Sequence, residues 1–392
     1  MLKISKFIFD SDEKKDILFK NNIKLTVVNC KKSFKDFFNV PWEVYENDDK
    51  WVPPLWAEFK GFFKKSNFFW NHAETCLFVA YKKNKPVGTI AVFIDKKYIE
   101  SAGKKIGFFG FFECIKDENV SFNLLEAARK WLVSKDIDIM MGPFNGRVDV
   151  GCGILYKGFD SDPYTYGTYS PKYYIDLLEK YKMKKCKDLI SYYLDINQPI
   201  PDSIKKSTER CLANGFKIRR FNRLRANNEK KWWIKLIIDV FSHHWGYVNV
   251  SEEEVRNRFG VKQIRWIVDT GLFLVVTKDK EPVAFKWSLP DYNQVFKDLN
   301  GKIGLIGGLK FLINKNKIDR GKFNFVGVKK EYRGQGIASL MNYYVISEMK
   351  KRGYKTAEIG WIDEDNINER KATEKIGAKM YKIYRVYDKK IR

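Results

Sequence analysis

The residues with the clearest chemical potential form a short glycine loop, Arg333–Ala338, with the sequence RGQGIA. Alternating β-prone residues precede it over Phe323–Val328 and an amphipathic run follows it over Ile337–Lys351, so the pattern predicts a strand, a turn and a helix. The glycines allow successive backbone N–H groups to point the same way, and the first helical turn has N–H groups without intrahelical partners. The loop therefore predicts a site for a diphosphate, with Arg333 adding positive charge. An ordinary glycine turn is the alternative.

The loop differs from two familiar nucleotide-binding motifs. It is shorter than a P-loop and lacks the Gly-Lys-Ser/Thr ending, and it lacks the third glycine of the dinucleotide fingerprint. It resembles motif A of the GNAT acyltransferases, Arg/Gln-x-x-Gly-x-Gly/Ala, with Arg333, Gly336 and Ala338 at the specified positions. The resemblance implies acetyl-CoA or another acyl-CoA as co-substrate and no metal.

In GNAT enzymes the fourth and fifth strands of the sheet splay apart, and the pantetheine arm of coenzyme A lies between them like an added strand. The resemblance places these strands at Phe323–Val328 and Thr356–Trp361. It implies that an N–H near Val328 polarises the thioester carbonyl and that Gly327 forms a bulge against the ligand. The residues expected to bind the coenzyme are Val326, Gly327, Val328, Arg333, Gly334, Gln335, Gly336, Ile337, Ala338 and Asn366.

The chemistry that the resemblance implies is direct attack of a neutral amine on the acyl thioester, helped by a base and by protonation of the leaving thiolate. The acid of the family is often a tyrosine in the helix that ends at Gly377, but Thr373 occupies the matching position. The remaining catalytic candidates are two carboxylates in or after the second splayed strand and a tyrosine on the next strand, namely Glu358, Asp363 and Tyr384. A carboxylate at a strand end is also an ordinary solvated loop residue.

Two further places are candidates for the acceptor site. His244 and Trp245 fall at the end of a predicted helix that borders the acceptor in GNAT folds, and a histidine with a near-neutral pKa would suit a base. A helix C-terminus that favours histidine through its dipole is the simpler interpretation. Asp291 and Asn293 belong to a loop before a glycine-rich insertion and are candidates by position alone.

Both halves of the chain repeat one order of strands and helices, which predicts a duplication. We expect an α/β (α+β) fold with two GNAT-like domains in tandem, over residues 1–200 and 201–392, each a mixed, mostly antiparallel sheet with a splayed strand pair flanked by helices. In the first half the turn that corresponds to the glycine loop is Lys116–Asn119, which has two carboxylates and no glycine. Only the second half is therefore expected to bind a nucleotide.

Other segments are similar to bacterial ceramide-synthase-like N-acyltransferases within the GNAT superfamily. The segments that carry this likeness are Trp51–Leu55, Gly107–Glu113, Gly142–Asn145 and Trp361–Asn366. The function implied is that of a CoA-dependent N-acyltransferase (EC 2.3.1), with acetyl as the default donor group. A long-chain N-acyltransferase acting on a lipid amine and a non-catalytic acyl-CoA-binding protein remain open. A tRNA-dependent aminoacyl transferase is a further class, against which the glycine loop argues.

Composition limits the environment and the partners of the chain. Its 392 residues carry a formal net charge of +25, which favours an anionic partner such as coenzyme A, but the lysines are scattered and make nucleic acid an unlikely one. Six separated cysteines, three histidines and the absence of a signal peptide or a long apolar run predict a cytoplasmic protein without a metal site or a transmembrane segment. The acceptor is expected to be a small-molecule or lipid amine, peripheral membrane contact is possible, and the oligomeric state stays open.

Overall fold

The computed structural model describes residues 16–20, 22–241, 244–248, 251–258, 268–302 and 304–392. The chain divides into two compact units. The first comprises Met1–Leu189, Phe296–Lys310 and Ile383–Arg392, and the second comprises Ile190–Val295 and Phe311–Lys382. These units do not divide at residue 200, because each unit takes a segment from the opposite half of the chain. The domain boundary expected from the sequence stays a prediction.

The first unit is built on an antiparallel meander that ends in a parallel pair. Its strands are β1 (Asp16–Lys20), β2 (Ile23–Val27), β3 (Ala73–Lys82), β4 (Lys85–Asp95), β5 (Ile106–Cys114), β6 (Ile139–Gly142) and β7 (Ile154–Lys157). Strands β1 to β5 pair antiparallel in order, and β6 pairs parallel to β5. The return from β5 to a parallel neighbour requires a crossover, which a long helix supplies.

Helices cover this meander. They are α1 (Lys31–Val44), α2 (Trp56–Phe62), α3 (Lys96–Ala102), α4 (Glu118–Ser134) and α5 (Tyr173–Lys180). The crossover helix is α4, whose Leu124, Leu125 and Ala128 are fully buried in a cluster with Ile90 and Val92 of β4. These apolar side chains recur at helical spacing, so one face of α4 is held against the sheet by hydrophobic burial.

The second unit repeats this plan. Its strands are the end of β8 (Lys184–Asp195), β9 (Lys217–Arg220), β10 (Phe273–Lys278), β11 (Glu281–Pro290), β12 (Arg320–Val328), β13 (Thr356–Asp363) and the start of β14 (Lys379–Lys390). Strands β9 to β12 pair antiparallel, and β13 pairs parallel to β12. The sheet is therefore mixed and mostly antiparallel, with one parallel pair in its middle.

Helices lie on both faces of the second sheet. They are α6 (Asp202–Ala213), α7 (Ala226–Phe241), α8 (Glu252–Arg258), α11 (Ile337–Lys351) and α12 (Ile367–Lys375), and two further helices, α9 (Asn293–Phe296) and α10 (Leu305–Asn314), include residues of both units. Trp233 of α7 packs against Phe273 and Trp287 on one face. Helix α11 shares a cluster with Phe323 and Ile359, which lie on the other face. Within the described ranges, no helix combines the length and apolar composition that crossing a bilayer requires.

Candidate active site

The parallel pair at the middle of the second sheet comes apart partway along its length. Partners run from Arg320–Thr356 to Phe323–Ile359, where the pairing ends, although β12 continues to Val328 and β13 to Asp363. Beyond this point no backbone pairing joins the described residues of the two strands, and we call this unpaired stretch the opening. The splayed strand pair expected from the sequence is therefore present in the second unit.

A β-bulge in β12 lies at the start of this opening. Trp287 of β11 is opposite Phe325 and Ser288 is opposite Phe323, so Asn324 is the extra residue on β12. The expected bulge at Gly327 is wrong, because Gly327 pairs regularly with Phe285. Glycine is required there for another reason: a Cβ atom on residue 327 would lie 2.7 Å from the Phe285 ring.

Backbone direction decides which amides of β12 face the opening. The Lys329 N–H donates to the carbonyl oxygen of Val283 at 3.0 Å, toward the antiparallel neighbour. Because the groups of successive residues alternate in such a ladder, the backbone groups of Val326 and Val328 point away from β11 and toward the opening. They can pair with an extended ligand, whereas the N–H of Gly327 faces β11.

The glycine loop follows directly and joins β12 to helix α11. Gly334 and Gly336 have φ angles of 79° and 83°, a left-handed conformation that favours glycine. The Arg333 Nε donates to the Val328 carbonyl oxygen at 3.2 Å, which ties the loop to the end of β12. Gly336 is also packed closely, since a Cβ there would lie 2.8 Å from Ser207 Oγ on α6.

The amides of this loop form a row of backbone donors, which we call the amide cradle. Among the described residues, the N–H groups of Gly334–Ser339 have no hydrogen-bond acceptor, and the next one, Leu340, donates to Gly336. The loop is exposed around Gly334, where an added Cβ would meet no atom within 4 Å. Converging N–H groups at the positive end of a helix dipole bind phosphate oxygens.

A buried charged cluster lies beside the opening, on the sheet face opposite Ile359. Glu358 of β13 has no exposed surface; its carboxylate contacts the ammonium of Lys322 and accepts a hydrogen bond from Tyr381, and the Lys382 Nζ lies 3.5 Å away. Burial alone would raise the pKa of Glu358, but the neighbouring ammonium groups and hydrogen bonds outweigh burial and lower it. The carboxylate is therefore held in its charged form.

The other face carries a buried lysine that the sequence reasoning missed. Lys286 of β11 is buried with its Nζ 4.2 Å from the centre of the Phe323 ring. Burial lowers its pKa to about 7, against the opposing effect of the Glu369 carboxylate. Burial raises the pKa of the half-buried Glu369 on α12, against the opposing effect of the Lys286 ammonium. A single lysine within the apolar strand Glu281–Pro290 was the signal available in the sequence.

Asn366, expected on the coenzyme, caps helix α12. Its Oδ1 accepts from the Glu369 N–H at 3.3 Å, and its Nδ2 donates to Glu369 Oε2 at 2.7 Å. Such a reciprocal arrangement satisfies the first turn of the helix and orients Glu369. Asn366 therefore positions a titratable group beside Lys286, and its contact with the coenzyme stays a prediction.

The other predicted carboxylates have structural partners. Asp363 closes the turn after β13, since its Oδ1 accepts from the Asp365 N–H at 2.9 Å. Asp291 is fully buried, lies 2.9 Å from an Arg320 Nη2 and accepts from the Asn293 N–H at 3.3 Å. Asn293 begins the short helix α9. These contacts fix the loop that follows β11, and roles in catalysis or acceptor binding stay predictions.

The remaining candidates lie in different surroundings. His244 is exposed after α7, and its ring centre is 4.9 Å from that of Phe241, which contacts Phe325 of β12 at 5.8 Å. Trp245 beside it is half-buried. Tyr384 belongs to the first unit, where it is buried opposite Leu155 of β7. The structure thus brings together Glu358, Tyr381 and the lysines, and a catalytic role of Tyr384 stays a prediction.

The first unit has a similar opening, which the chain itself fills. Strands β5 and β6 pair only as far as Phe108–Met141. Beyond that, the Phe144 N–H donates to the Phe109 carbonyl oxygen at 2.6 Å, and Asn145 Oδ1 accepts from the Phe111 N–H at 2.6 Å. The segment after β6 therefore pairs with backbone groups of β5 whose counterparts on β12 have no strand partner on that side.

The helix that follows β5 is also closed to an anion. The Asp117 carboxylate accepts from the Asn119 and Val120 N–H groups at 2.9 and 3.3 Å, at the N-terminus of α4. Lys82 pairs with the same carboxylate at 2.8 Å. A side-chain anion thus occupies the position at which a phosphate would bind.

The buried lysine gives a prediction for the pH dependence of stability. Lys286 loses its proton near pH 7 in the folded protein, whereas a lysine in the unfolded chain keeps its proton up to about pH 10.4. The free energy of unfolding is therefore highest above about pH 10.4 and decreases as the pH falls towards 7, because over this range the unfolded chain binds a proton that the folded protein does not. Urea unfolding between pH 7 and 9 should show the wild-type free energy of unfolding rising relative to Lys286→Met, by up to about 1.4 kcal/mol per pH unit. Lys235→Met, at an exposed position of α7, should keep the wild-type slope. Equal slopes for Lys286→Met and wild type would contradict the assignment.

Comparisons with known proteins agree with this geometry. Residues 241–378 match the model of the Acetyltransferase (GNAT) family. The bacterial ceramide synthase of Caulobacter vibrioides is 28% identical over 378 residues, which cover 94% of this chain and 98% of that protein. Protein YghO of Escherichia coli strain K12 is 28% identical over 368 residues, which cover 92% and 94% of the two chains.

Solved structures show the same fold over the whole chain. A tandem GNAT protein from the clavulanic acid biosynthesis pathway has a TM-score of 0.57 at 10% identity, and the match covers 94% of this chain and 99% of that one. A GCN5-related N-acetyltransferase from Sphaerobacter thermophilus has a TM-score of 0.53 at 12% identity, covering 96% and 98%. The predicted fold class is thereby confirmed. Residues 241–378 therefore match the GNAT acetyltransferase family, the chain has the fold of tandem GNAT proteins, and these likenesses support a transferase of the EC 2.3.1 kind.

Proposed function

We propose that this protein transfers a long acyl chain from coenzyme A to the amine of a lipid. The observation that carries the proposal is the opening between β12 and β13, continuous with the amide cradle at Gly334–Ser339. The relative named bacterial ceramide synthase favours a long chain and a lipid amine over the acetyl group expected by default, since ceramide is the amide of a fatty acid and a long-chain base. Transfer of acetyl to a small amine is the second candidate.

The donor would enter from the face of the sheet that carries α11. Its diphosphate binds the loop amides at the N-terminus of α11, and its pantetheine arm continues into the opening along Val326 and Val328. Hydrogen bonds from an added strand would complete the unpaired edge of β12. The acceptor would then bind on the opposite face of the sheet, where Glu358, Lys322 and Tyr381 lie.

Acyl transfer in this arrangement needs no covalent enzyme intermediate. The neutral amine attacks the thioester carbonyl carbon, the C–N bond forms and the C–S bond breaks, and the amine loses one proton while the thiolate gains one. The Val328 N–H stabilises the negative charge that develops on the carbonyl oxygen. Lys286, whose pKa burial lowers to about 7 and which lies on the face that carries α11, protonates the thiolate in this proposal. The Glu358 carboxylate orients the amine and accepts the proton that the amine nitrogen loses.

The direct test compares donors and acceptors in one assay. Release of free coenzyme A from palmitoyl-, butyryl- and acetyl-CoA is measured with a long-chain amino alcohol and with a polyamine, and products are identified by mass spectrometry. The proposal predicts the palmitoyl amide of the amino alcohol as the main product. Acetylation of the polyamine alone would support the second candidate, and binding without turnover on any pair would contradict both.

Two glycine variants test coenzyme binding, one in the amide cradle and one as its control. Gly334 and Gly353 have φ angles of 79° and 78°, and a Cβ at either position would meet no atom within 4 Å. Alanine at either site should therefore cost a similar free energy of unfolding, about 1–2 kcal/mol. Only Gly334→Ala changes the amide cradle, so calorimetry should show roughly tenfold weaker binding of coenzyme A to that variant.

The same titration gives the stoichiometry. One equivalent of coenzyme A per chain is expected, because Asp117 closes the equivalent site of the first unit. Two equivalents, or equal affinities of Gly334→Ala and Gly353→Ala, would contradict this placement of the coenzyme.

A substitution of Glu358 can distinguish a role in catalysis from a purely structural role. Glu358→Gln should lower kcat by about 100-fold with little change in coenzyme affinity, because the charge that meets the amine is lost. Removing one member of a buried ion pair also costs about 3–5 kcal/mol of stability. Asp188→Asn, which breaks the pair with Arg385 at 2.8 Å in the first unit, controls for that cost and should leave kcat unchanged. Equal kcat values for the two variants at equal folded fraction would assign Glu358 to stability alone.

A further inference from the structure

Helix α10 exposes three large apolar side chains on one side. Leu309, Leu312 and Ile313 are 60%, 56% and 67% exposed. Their spacing of three and four residues places them on one face of the helix. Phe311, on the other side of the helix, packs against Tyr292, with 5.6 Å between the ring centres. An exposed apolar cluster of this kind marks an interaction surface.

The segment that contains this helix is rich in positive charge. The exposed lysines of the segment are Lys302, Lys310, Lys315 and Lys317. The sequence from Leu299 to Ile318 contains no aspartate or glutamate, so no carboxylate of the segment balances these charges. The chain as a whole carries +25. An apolar stripe bordered by ammonium groups is complementary to a surface whose interior is apolar and whose rim is anionic.

We propose that α10 is a membrane-docking helix that lies in the interface of an anionic lipid bilayer. Leu309, Leu312 and Ile313 enter the acyl-chain boundary, and the neighbouring lysines contact lipid phosphates. The helix has 10 residues and lies along the surface without crossing it. The inference is independent of the proposed function, because docking requires neither acyl-CoA nor an amine.

Charge favours the bilayer over a second copy of this chain. In a two-fold symmetric dimer the same patch faces itself, so the lysines of one copy would approach those of the other. Like charges placed opposite each other disfavour such an interface. An anionic bilayer instead neutralises the same lysines while it covers the apolar side chains.

The test measures co-sedimentation of the full chain with phosphatidylcholine vesicles, with and without phosphatidylglycerol and in the absence of acyl-CoA. We expect at least about tenfold stronger partitioning to the anionic vesicles, and loss of binding at high salt. Leu309→Ser, Leu312→Ser and Ile313→Ser combined should reduce partitioning by about tenfold or more. Lys310→Gln, Lys315→Gln and Lys317→Gln combined should remove the preference for anionic vesicles.

A control variant combines Phe122→Ser and Leu212→Ser, which remove exposed apolar side chains from α4 and α6 and should bind vesicles as wild type does. Thermal unfolding verifies that each variant is folded, and Ile313→Ser alone serves if the triple variant is not. Unchanged binding of the serine variants, or equal binding to both vesicle types, would overturn the proposal. Light scattering that shows a dimer dissolved by the triple variant, without vesicle binding, would assign the face to self-association instead.

Discussion

The early end of pairing between β12 and β13 is the constraint on which the candidate site depends. A strand in the middle of a sheet normally has a strand partner on both sides, but beyond Phe323 strand β12 is paired only with β11. Val326 and Val328 thereby keep amides directed into the opening, and the glycine loop continues this row of donors. The same divergence in the first unit is filled by the segment that contains Phe144 and Asn145, so one backbone geometry gives a closed scaffold in one unit and an open edge in the other.

Charge is distributed differently on the two faces of the second sheet. Glu358 is buried together with Lys322 and Lys382. Burying these charged groups carries a desolvation penalty that apolar side chains at the same positions would not have. Lys286 lies on the other face, where burial lowers its pKa to about 7 against the opposing effect of the Glu369 carboxylate. Groups with such perturbed protonation are concentrated at functional sites. A buried, ionised carboxylate on one face and a lysine with a near-neutral pKa on the other agree with the proposed transfer of an acyl group.

The sequence was most informative where the signal is local. The glycine loop, the strand before it and the helix after it are adjacent in the chain, so their pattern was sufficient to predict them. The bulge was placed at Gly327 and lies at Asn324, because a bulge depends on the register with β11, which no local pattern records. Lys286 was missed although a lone lysine in an apolar strand was visible. The exchange of Phe296–Lys310 between the units could not be predicted, because it depends on contacts between distant residues.

The central claim is that an acyl-CoA thioester lies in the opening between β12 and β13. A crystal structure of the protein with a non-hydrolysable acyl-CoA thioether tests it most directly. The account predicts pantetheine within about 3 Å of the backbone groups of Val326 and Val328 and the diphosphate on the amides of Gly334–Ser339. A coenzyme bound elsewhere, or strands β12 and β13 paired along their full length in the complex, would contradict it.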